Sequence, residues 1–324
     1  MLIIFFALWA LSCAEPSADV SYYVHELVGI DSDVCGSGNF GKACRTVHAA
    51  LQRVPIGTYS QYDILIQVNA SDGNLPIANK NVEVRAAYDR ISLRGVTSIG
   101  KPLLSVTGGG KLQITNIVLL HHTPNVAYPL ITVDSSCELI LYDCSLETSK
   151  ISSDDQYTQP FIRANGGRLK LSYIAVPKIS FISCAAIETS GATRLDGFTL
   201  EYSTFRGVTR GSGDGSSLSI ELNPQAHAQI MNTSFLGENI VSSNKITSKY
   251  SNLDCNPKTS AVHITGGTVG IQRSSFKGLS EGGLGLDETN ATIDSDTVFD
   301  HNNPAQPNYP SLRRNIRCGR GTIL

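Results

Sequence analysis

The sequence predicts an all-β solenoid, and three observations predict it. First, one template recurs seven times after residue 100: a short apolar-alternating run, a small-residue turn, a second alternating run and a Ser–Phe or similar close. The copies begin at Pro102, Pro129, Pro160, Ala185, Ser217, Ala261 and Gly283. A unit of this size cannot bury its own apolar face and must stack on its neighbours. Second, the turn is a Gly pair at similar offset in three copies (Gly108–Gly110, Gly166–Gly167, Gly266–Gly267), as expected where the backbone takes positive φ or passes close to another coil. Third, with 29 Gly, 2 Met and 17% charged residues against 41% hydrophobic, the composition favours many tight turns and a continuous core over amphipathic helices. A β-sandwich also has many short strands and turns, but rarely repeats one template seven times.

Residues 1–14 (MLIIFFALWALSCA) are an apolar block closing on Ser12, Cys13 and Ala14, the pattern of a secretory signal cut after Ala14. Its apolar run of about ten residues is too short for a bilayer, which takes roughly twenty. No other stretch approaches that length, so no membrane span is expected in the mature chain. Residues 15–62 form a lead-in and a short N-terminal capping helix. Thr46 is a good N-cap, Val47, Ala50, Leu51 and Val54 share one face, and Pro55 and Gly57 stop the helix. Such a helix can cover the open end of the first coil.

Stacked coils are expected over 63–303. Strands at 63–68 (DILIQV), 81–86 (NVEVRA) and 90–96 (RISLRGV) open them. The seven copies follow at intervals of 22 to 44 residues, since extra residues can bulge from one corner of a coil without breaking the stack. The longest interval holds a polar insertion at 241–260, the best candidate for a protruding loop, and the Gly/Ser-rich 207–217 reads as flexible. Residues 304–324 read as a tail.

The mature chain keeps cysteines 35, 44, 137, 144, 184, 255 and 318, an odd number that leaves at least one thiol free or intermolecular. Cys35 and Cys44 flank a Gly-rich loop and are the disulfide candidate; closing it would remove roughly 2.7 kcal/mol of unfolded-chain entropy. Zinc is disfavoured: there is no CxxC, and His25 and His48 make no metal-ligand pattern. Cys137 and Cys144 end one extended run and cannot bond to each other, so each faces the stack or pairs with another coil.

The stretch DSDVCGSGNFGKACRTVHAALQRV and the downstream coils GGKLQITNIVL and GGTVGIQRSSF resemble right-handed parallel β-helix proteins of the pectate-lyase-like superfamily. They resemble most the secreted and surface repeat proteins of protists and polymorphic outer-membrane proteins. The pattern covers about residues 31–303, with the entry stretch its specific part. The resemblance implies a right-handed parallel β-helix. The tail is similar to an interior segment of longer members, as though the chain were truncated at Leu324.

No catalytic set is legible. Asp154–Asp155 is the only Asp pair and lies in a polar loop without the partners that galacturonan hydrolases of the superfamily carry. The pectate-lyase and esterase patterns are absent. His121 and His122 end an apolar strand and point to opposite faces, which suits a turn or surface role. His263 alternates with Val262 and Ile264 and is expected toward solvent. Arg313, Arg314, Arg317 and Arg320 form a basic cluster, read as a solvated segment with an anion or glycan contact as its sharper use. Asn69, Asn232 and Asn290 open N-glycosylation triplets. No metal and no cofactor is expected.

A net charge of −2 gives no footprint for nucleic acid. The expected function is therefore a non-catalytic secreted or cell-surface β-helix protein for adhesion, surface structure or ligand binding, with extracellular polysaccharide or a surface protein as partner. A polysaccharide lyase or glycoside hydrolase with a divergent site, and the N-terminal module of a larger receptor-like protein, are the alternatives, both resting on fold analogy.

Overall fold

The computed structural model describes residues 20–36, 40–57, 60–95, 101–121, 127–148, 156–177, 179–181, 184–192, 197–210, 216–237, 261–279, 283–300, 316–318 and 321–323. Residues 1–14, expected to be a secretory signal, Asp154–Asp155, His122, Cys255, the 241–260 insertion and Arg313, Arg314 and Arg320 lie outside them. The strands assemble into three long parallel sheets of eleven, nine and nine strands. Each sheet takes one strand from successive coils, which makes the molecule a parallel β-solenoid.

One coil illustrates the rest. Ile131–Val133 lies in sheet three, Glu138–Tyr142 in sheet one and Ser145–Thr148 in sheet two. Each strand pairs in register with its counterparts one coil before and one coil after: Leu139 stands between Leu112 and Leu169, and Leu141 between Ile114 and Leu171. Period-two alternation turns these leucines inward, and every one of them is fully buried. Inside sheet two the column becomes aromatic. Phe205, Phe235, Phe276 and Phe299 stack with ring centroids 5.1, 4.9 and 4.7 Å apart, a spacing set by the distance between neighbouring strands.

The corner from sheet one to sheet two is a single left-handed residue. Asn116, Asp143, Tyr173, Tyr202, Asn232 and Arg273 fill it in successive coils, with φ between 45° and 58°. The residue that follows is buried. Ser203, Thr233 and Ser274 each donate a side-chain hydrogen bond to the carbonyl two residues back. The Ser203 and Ser274 hydroxyls also accept from the backbone N–H of Ile174 and Thr233 in the coil before. Tyr-Ser-Thr-Phe, Asn-Thr-Ser-Phe and Arg-Ser-Ser-Phe are thus one corner written three times: a left-handed residue, a buried hydroxyl, a strand start and a core phenylalanine. At the sheet three to sheet one corner, Gly266 and Gly267 have φ of 74° and 57°, and a Cβ on Gly267 would stand 2.7 Å from the Ala226 carbonyl oxygen, so a side chain is excluded there.

The chain enters through Ser21–Val24, which pairs with Tyr62–Ile66 as the first strand of sheet one. Cys35 and Cys44 are disulfide-bonded. Beside them, the Asp31 carboxylate accepts from the Arg45 and Thr46 N–H groups and the Thr46 hydroxyl at 2.8, 2.9 and 3.0 Å. Thr46 Oγ1 in turn accepts from Ala49 N–H, the N-cap bond expected of this residue. Asp72, only 9% exposed, accepts from His48 N–H at 2.8 Å; its burial holds the carboxyl above the usual carboxylate range. The helix these groups start is short, Val47–Arg53, and buries Val47, Ala49, Ala50 and Leu51 against the strands of the first coil. The expected short N-terminal capping helix is not supported: the one α-helix among the described residues is the seven-residue Val47–Arg53, two turns with four buried residues, too little to close the open end of a coil.

Two further expectations are revised. Within 207–217, residues 211–215 lie outside the described residues, but the ends are strands: Val208–Arg210 forms a fourth, three-stranded parallel sheet with Ile179–Phe181 and Gln156–Tyr157, and Ser216–Leu222 is a strand of sheet three. Gly and Ser signal turns, but here the coils alongside supply partners that composition cannot report. Within 304–324, Ile316–Cys318 and Gly321–Ile323 add one strand each to sheets three and one.

Candidate functional site

With the apolar side of every strand turned inward, function falls to what the outward columns carry. On sheet one, three successive coils bring Tyr142, Tyr173 and Tyr202 together at the corner. Tyr142 precedes the left-handed residue of its coil, and Tyr173 and Tyr202 are that residue in theirs. Tyr142 meets Tyr173 edge-to-face at 5.3 Å, and Tyr173 stacks on Tyr202 at 5.1 Å with the rings 9° from parallel. Their exposures are 47%, 47% and 49%. This is an aromatic ladder half open to water: the Tyr173 and Tyr202 faces turned to each other are covered by stacking, which leaves ring edges and the end of the stack as apolar surface of the kind that meets sugar rings.

A cationic cluster lies four residues upstream on the same sheet face. Lys111, Glu138 and Arg168 are cross-strand neighbours in consecutive coils, and Lys170 follows two residues after Arg168. The single Glu138 carboxylate faces Arg168 at 3.0 Å, Lys111 at 3.5 Å and Lys170 at 3.7 Å. One carboxylate among three cations leaves the cluster with a net positive charge of two. At about 3.3 Å per residue, Tyr142 stands about 13 Å along the strand from Glu138. On the other side of the ladder, Arg90 donates to the Asp143 carbonyl at 2.9 Å and pairs with its carboxylate at 3.6 Å. Rings and cations therefore share one face.

The predicted site residues distribute around this feature. Asn232 occupies the corner one coil beyond Tyr202, since Tyr202 N–H donates to the Met231 carbonyl and Met231 precedes Asn232. Asn290 is exposed on the outer face of sheet one, paired between Thr268 and Thr322. Asn69 is exposed before strand Ala70–Asp72, and its amide oxygen accepts from Ser92 N–H at 2.8 Å. The disulfide lies at the N-terminal entry, away from the ladder in the coil order.

The histidines depart from expectation. His121 is 2% exposed, against an expected surface or turn role, with Tyr157 and Phe161 edge-on at 5.2 and 5.5 Å. Period two places it in line with Ile117 and Leu119, facing inward, and the aromatic pair closes over it. His263 pairs between Ser219 and Gly285 on the outer face of sheet three, yet is only 8% exposed; alternation fixes which face a residue takes, not whether that face is wet. Cys137, Cys144 and Cys184 are buried free thiols. Burial pushes Cys144 up to about 11 and Cys184 up to about 12, which makes both inert rather than nucleophilic. Among the described residues no group of three His, Cys, Asp or Glu is placed to hold a metal ion, and no helix is long and apolar enough to cross a membrane.

Sequence reasoning passed over the tyrosines. Their signal was present: Tyr142, Tyr173 and Tyr202 recur at 31 and 29 residues, one coil each. No family model and no curated protein matches the chain. Among solved structures, ORF18 of Geobacillus virus E2 aligns with a TM-score of 0.31 and 8% identity, covering 91% of this chain. The chain spans 60% of that protein's length.

Proposed function

We propose that the chain is a secreted or cell-surface, non-catalytic β-helix protein that binds extracellular polysaccharide on sheet one. In this reading residues 1–14 are removed as a secretory signal, the solenoid is right-handed and of the pectate-lyase-like kind, and the Asn triplets carry glycans. The disulfide suits an oxidising compartment. The observation that carries the binding reading is the half-exposed ladder Tyr142–Tyr173–Tyr202 beside Lys111, Arg168 and Lys170. Large aromatic rings left open in register are a specific use of surface, and the charge excess selects acidic polymers such as uronate or sulfate chains.

The test is retention of the purified chain on immobilised polygalacturonate, alginate and neutral polymers. Binding to an acidic polymer that falls with salt, and that weakens about fivefold in Tyr173→Ala for a lost contact of ~1 kcal/mol, supports the reading. Equal retention of wild type and Tyr173→Ala, or none on any polymer, refutes it. Release of unsaturated or reducing ends in the same incubations would favour the lyase or hydrolase alternative.

A further inference from the structure

The corner column that holds the ladder does not end at Tyr202. Its next residue is Asn232, in the same left-handed conformation (φ 49° in both). Strands carrying these corners pair in register, Leu200 with Ile230 and Glu201 with Met231, so Asn232 follows Tyr202 along the column as Tyr202 follows Tyr173. Asn232 opens the triplet Asn232-Thr233-Ser234. Thr233 is buried and Ser234 starts the sheet-two strand, so the corner motif itself writes the glycan acceptor and holds its asparagine outside the core. A glycan joined to this side chain emerges one strand spacing, about 4.8 Å, from an aromatic face that is itself 49% exposed. Asn69 lies at the first coil, and Asn290 is mid-strand on the outer face, two coils past Asn232; neither adjoins the rings.

We propose that an N-linked glycan on Asn232 folds back over Tyr202 and Tyr173 and occupies the C-terminal end of the ladder, so that glycosylation regulates access to the polysaccharide site. The attachment balances simply: the Asn232 amide nitrogen displaces the lipid-linked pyrophosphate of an oligosaccharide donor, forms the N–C1 bond of the first sugar and loses one proton. The inner sugars then stack on the face of Tyr202 turned away from Tyr173 and lie along the exposed edge of Tyr173, and an external chain must displace them or use Tyr142 alone. The proposal rests on the secreted, polysaccharide-binding reading above.

Ser234→Ala removes the acceptor hydroxyl while leaving Asn232 in its corner; Ser234 otherwise accepts only a 3.2 Å bond from the Ser275 hydroxyl among the contacts described. The full chain and this variant, secreted from a eukaryotic host, are compared by glycopeptide occupancy, by the iodination rate of each tyrosine, and by retention on polygalacturonate and alginate. The expected result is occupancy at Asn232 and iodination of Tyr202 and Tyr173 about fivefold slower in the glycosylated chain than in Ser234→Ala, the factor ~1 kcal/mol gives. Tyr88, 67% exposed and in an earlier coil, should react equally in both. Retention should be stronger for Ser234→Ala. An unoccupied Asn232, or equal rates at Tyr202 and Tyr173, overturns the proposal. Protection of those tyrosines with no retention of either chain supports the glycan seat and overturns the polysaccharide reading alone.

Discussion

Replacing Phe235 by alanine should loosen the C-terminal half of the column and leave the N-terminal half intact. Phe235 is fully buried, with its ring 5.1 Å from Phe205 and 4.9 Å from Phe276. Truncating a buried Phe costs about 3–5 kcal/mol. The loss of two stacked aromatic contacts, each worth about 0.5–1.5 kcal/mol beyond buried area, puts this site near the upper end, at ~4 kcal/mol. In a column stabilised by nearest-neighbour contacts, that loss falls on the two interfaces the ring spans and on the coils beyond them. Hydrogen exchange read on peptides is the assay. Amides in strands His227–Met231, Ser234–Leu236, Thr268–Gln272 and Ser275–Lys277 should exchange about a thousandfold faster, the equivalent of ~4 kcal/mol. Amides in Asn81–Ala86 and Lys111–Thr115, five and four coils earlier, should move by less than about 0.5 kcal/mol, as for independent sites. Equal acceleration along the whole chain would mean one all-or-none unit and would refute the nearest-neighbour argument. No acceleration at 227–277 would refute the packing itself.

Other perturbations test other parts of the structure. Glu138→Gln should cost about 1 kcal/mol at low ionic strength by leaving Lys111, Arg168 and Lys170 to repel one another. Thermal melts should show the deficit shrinking in high salt, and at low salt the variant should be retained on acidic polymer more strongly than the wild type. Asp31→Ala removes three hydrogen bonds at the helix entry and should destabilise by ~1–3 kcal/mol in denaturant titration, with Asp31→Asn milder. The thiols give a pH dependence. Cys144 and Cys184 have folded values of about 11 and about 12 against an ordinary value of 9.0, so the folded state holds their protons more tightly than the unfolded chain. Their stabilisation is complete below pH ~9 and is lost as pH rises through the folded values, at up to about 1.4 kcal/mol per unit for each thiol. Melting temperature should therefore fall steeply above pH ~9, and iodoacetamide at pH ~8 should label the Cys144 and Cys184 peptides only after denaturation; rapid labelling of the native chain would contradict the burial.

Much of the fold is legible because stacking writes the same constraint once per coil. The expected strands at 81–86 and 90–96 appear as Asn81–Ala86 and Ile91–Gly95, and the seven repeat starts each fall within three residues of a sheet-three strand. What escaped were strands too short to show a period of their own. Ala70–Asp72 and Leu75–Ala78 are too short to alternate convincingly, yet each pairs in register with a neighbour twenty or more residues away. The fourth sheet is made of strands of two and three residues that no local pattern would nominate. Facing was read from alternation correctly for Val262 and Ile264, and exposure was not, because the 8% exposure of His263 depends on what covers the outside of the coil.

The site was hidden for a related reason: its signal is periodic in the coil, not in the strand. Tyr142, Tyr173 and Tyr202 look unremarkable in their own segments, where each is one polar-tipped aromatic near a turn. Only the register that aligns Leu141, Leu171 and Leu200 reveals that the three rings share an edge. The left-handed corner explains why such a position is open to choice. The core requires a buried residue directly after it (Ile117, Cys144, Ile174, Ser203, Thr233 or Ser274) and an apolar one two further on, but asks of the corner residue only that it tolerate φ near 50°. Asn116, Asp143, Asn232 and Arg273 meet that requirement as well as tyrosine does, and Asn and Asp meet it at lower steric cost. Two tyrosines in consecutive corners, with a third beside the previous one, therefore go against the local preference of the turn. Part of the compensating gain is the contact of the rings with one another, at 5.3 and 5.1 Å; the half of each ring left exposed is the part that the proposed binding role would use, and Tyr173→Ala separates the two, since a purely structural ladder would lose stability and leave retention on polymer unchanged.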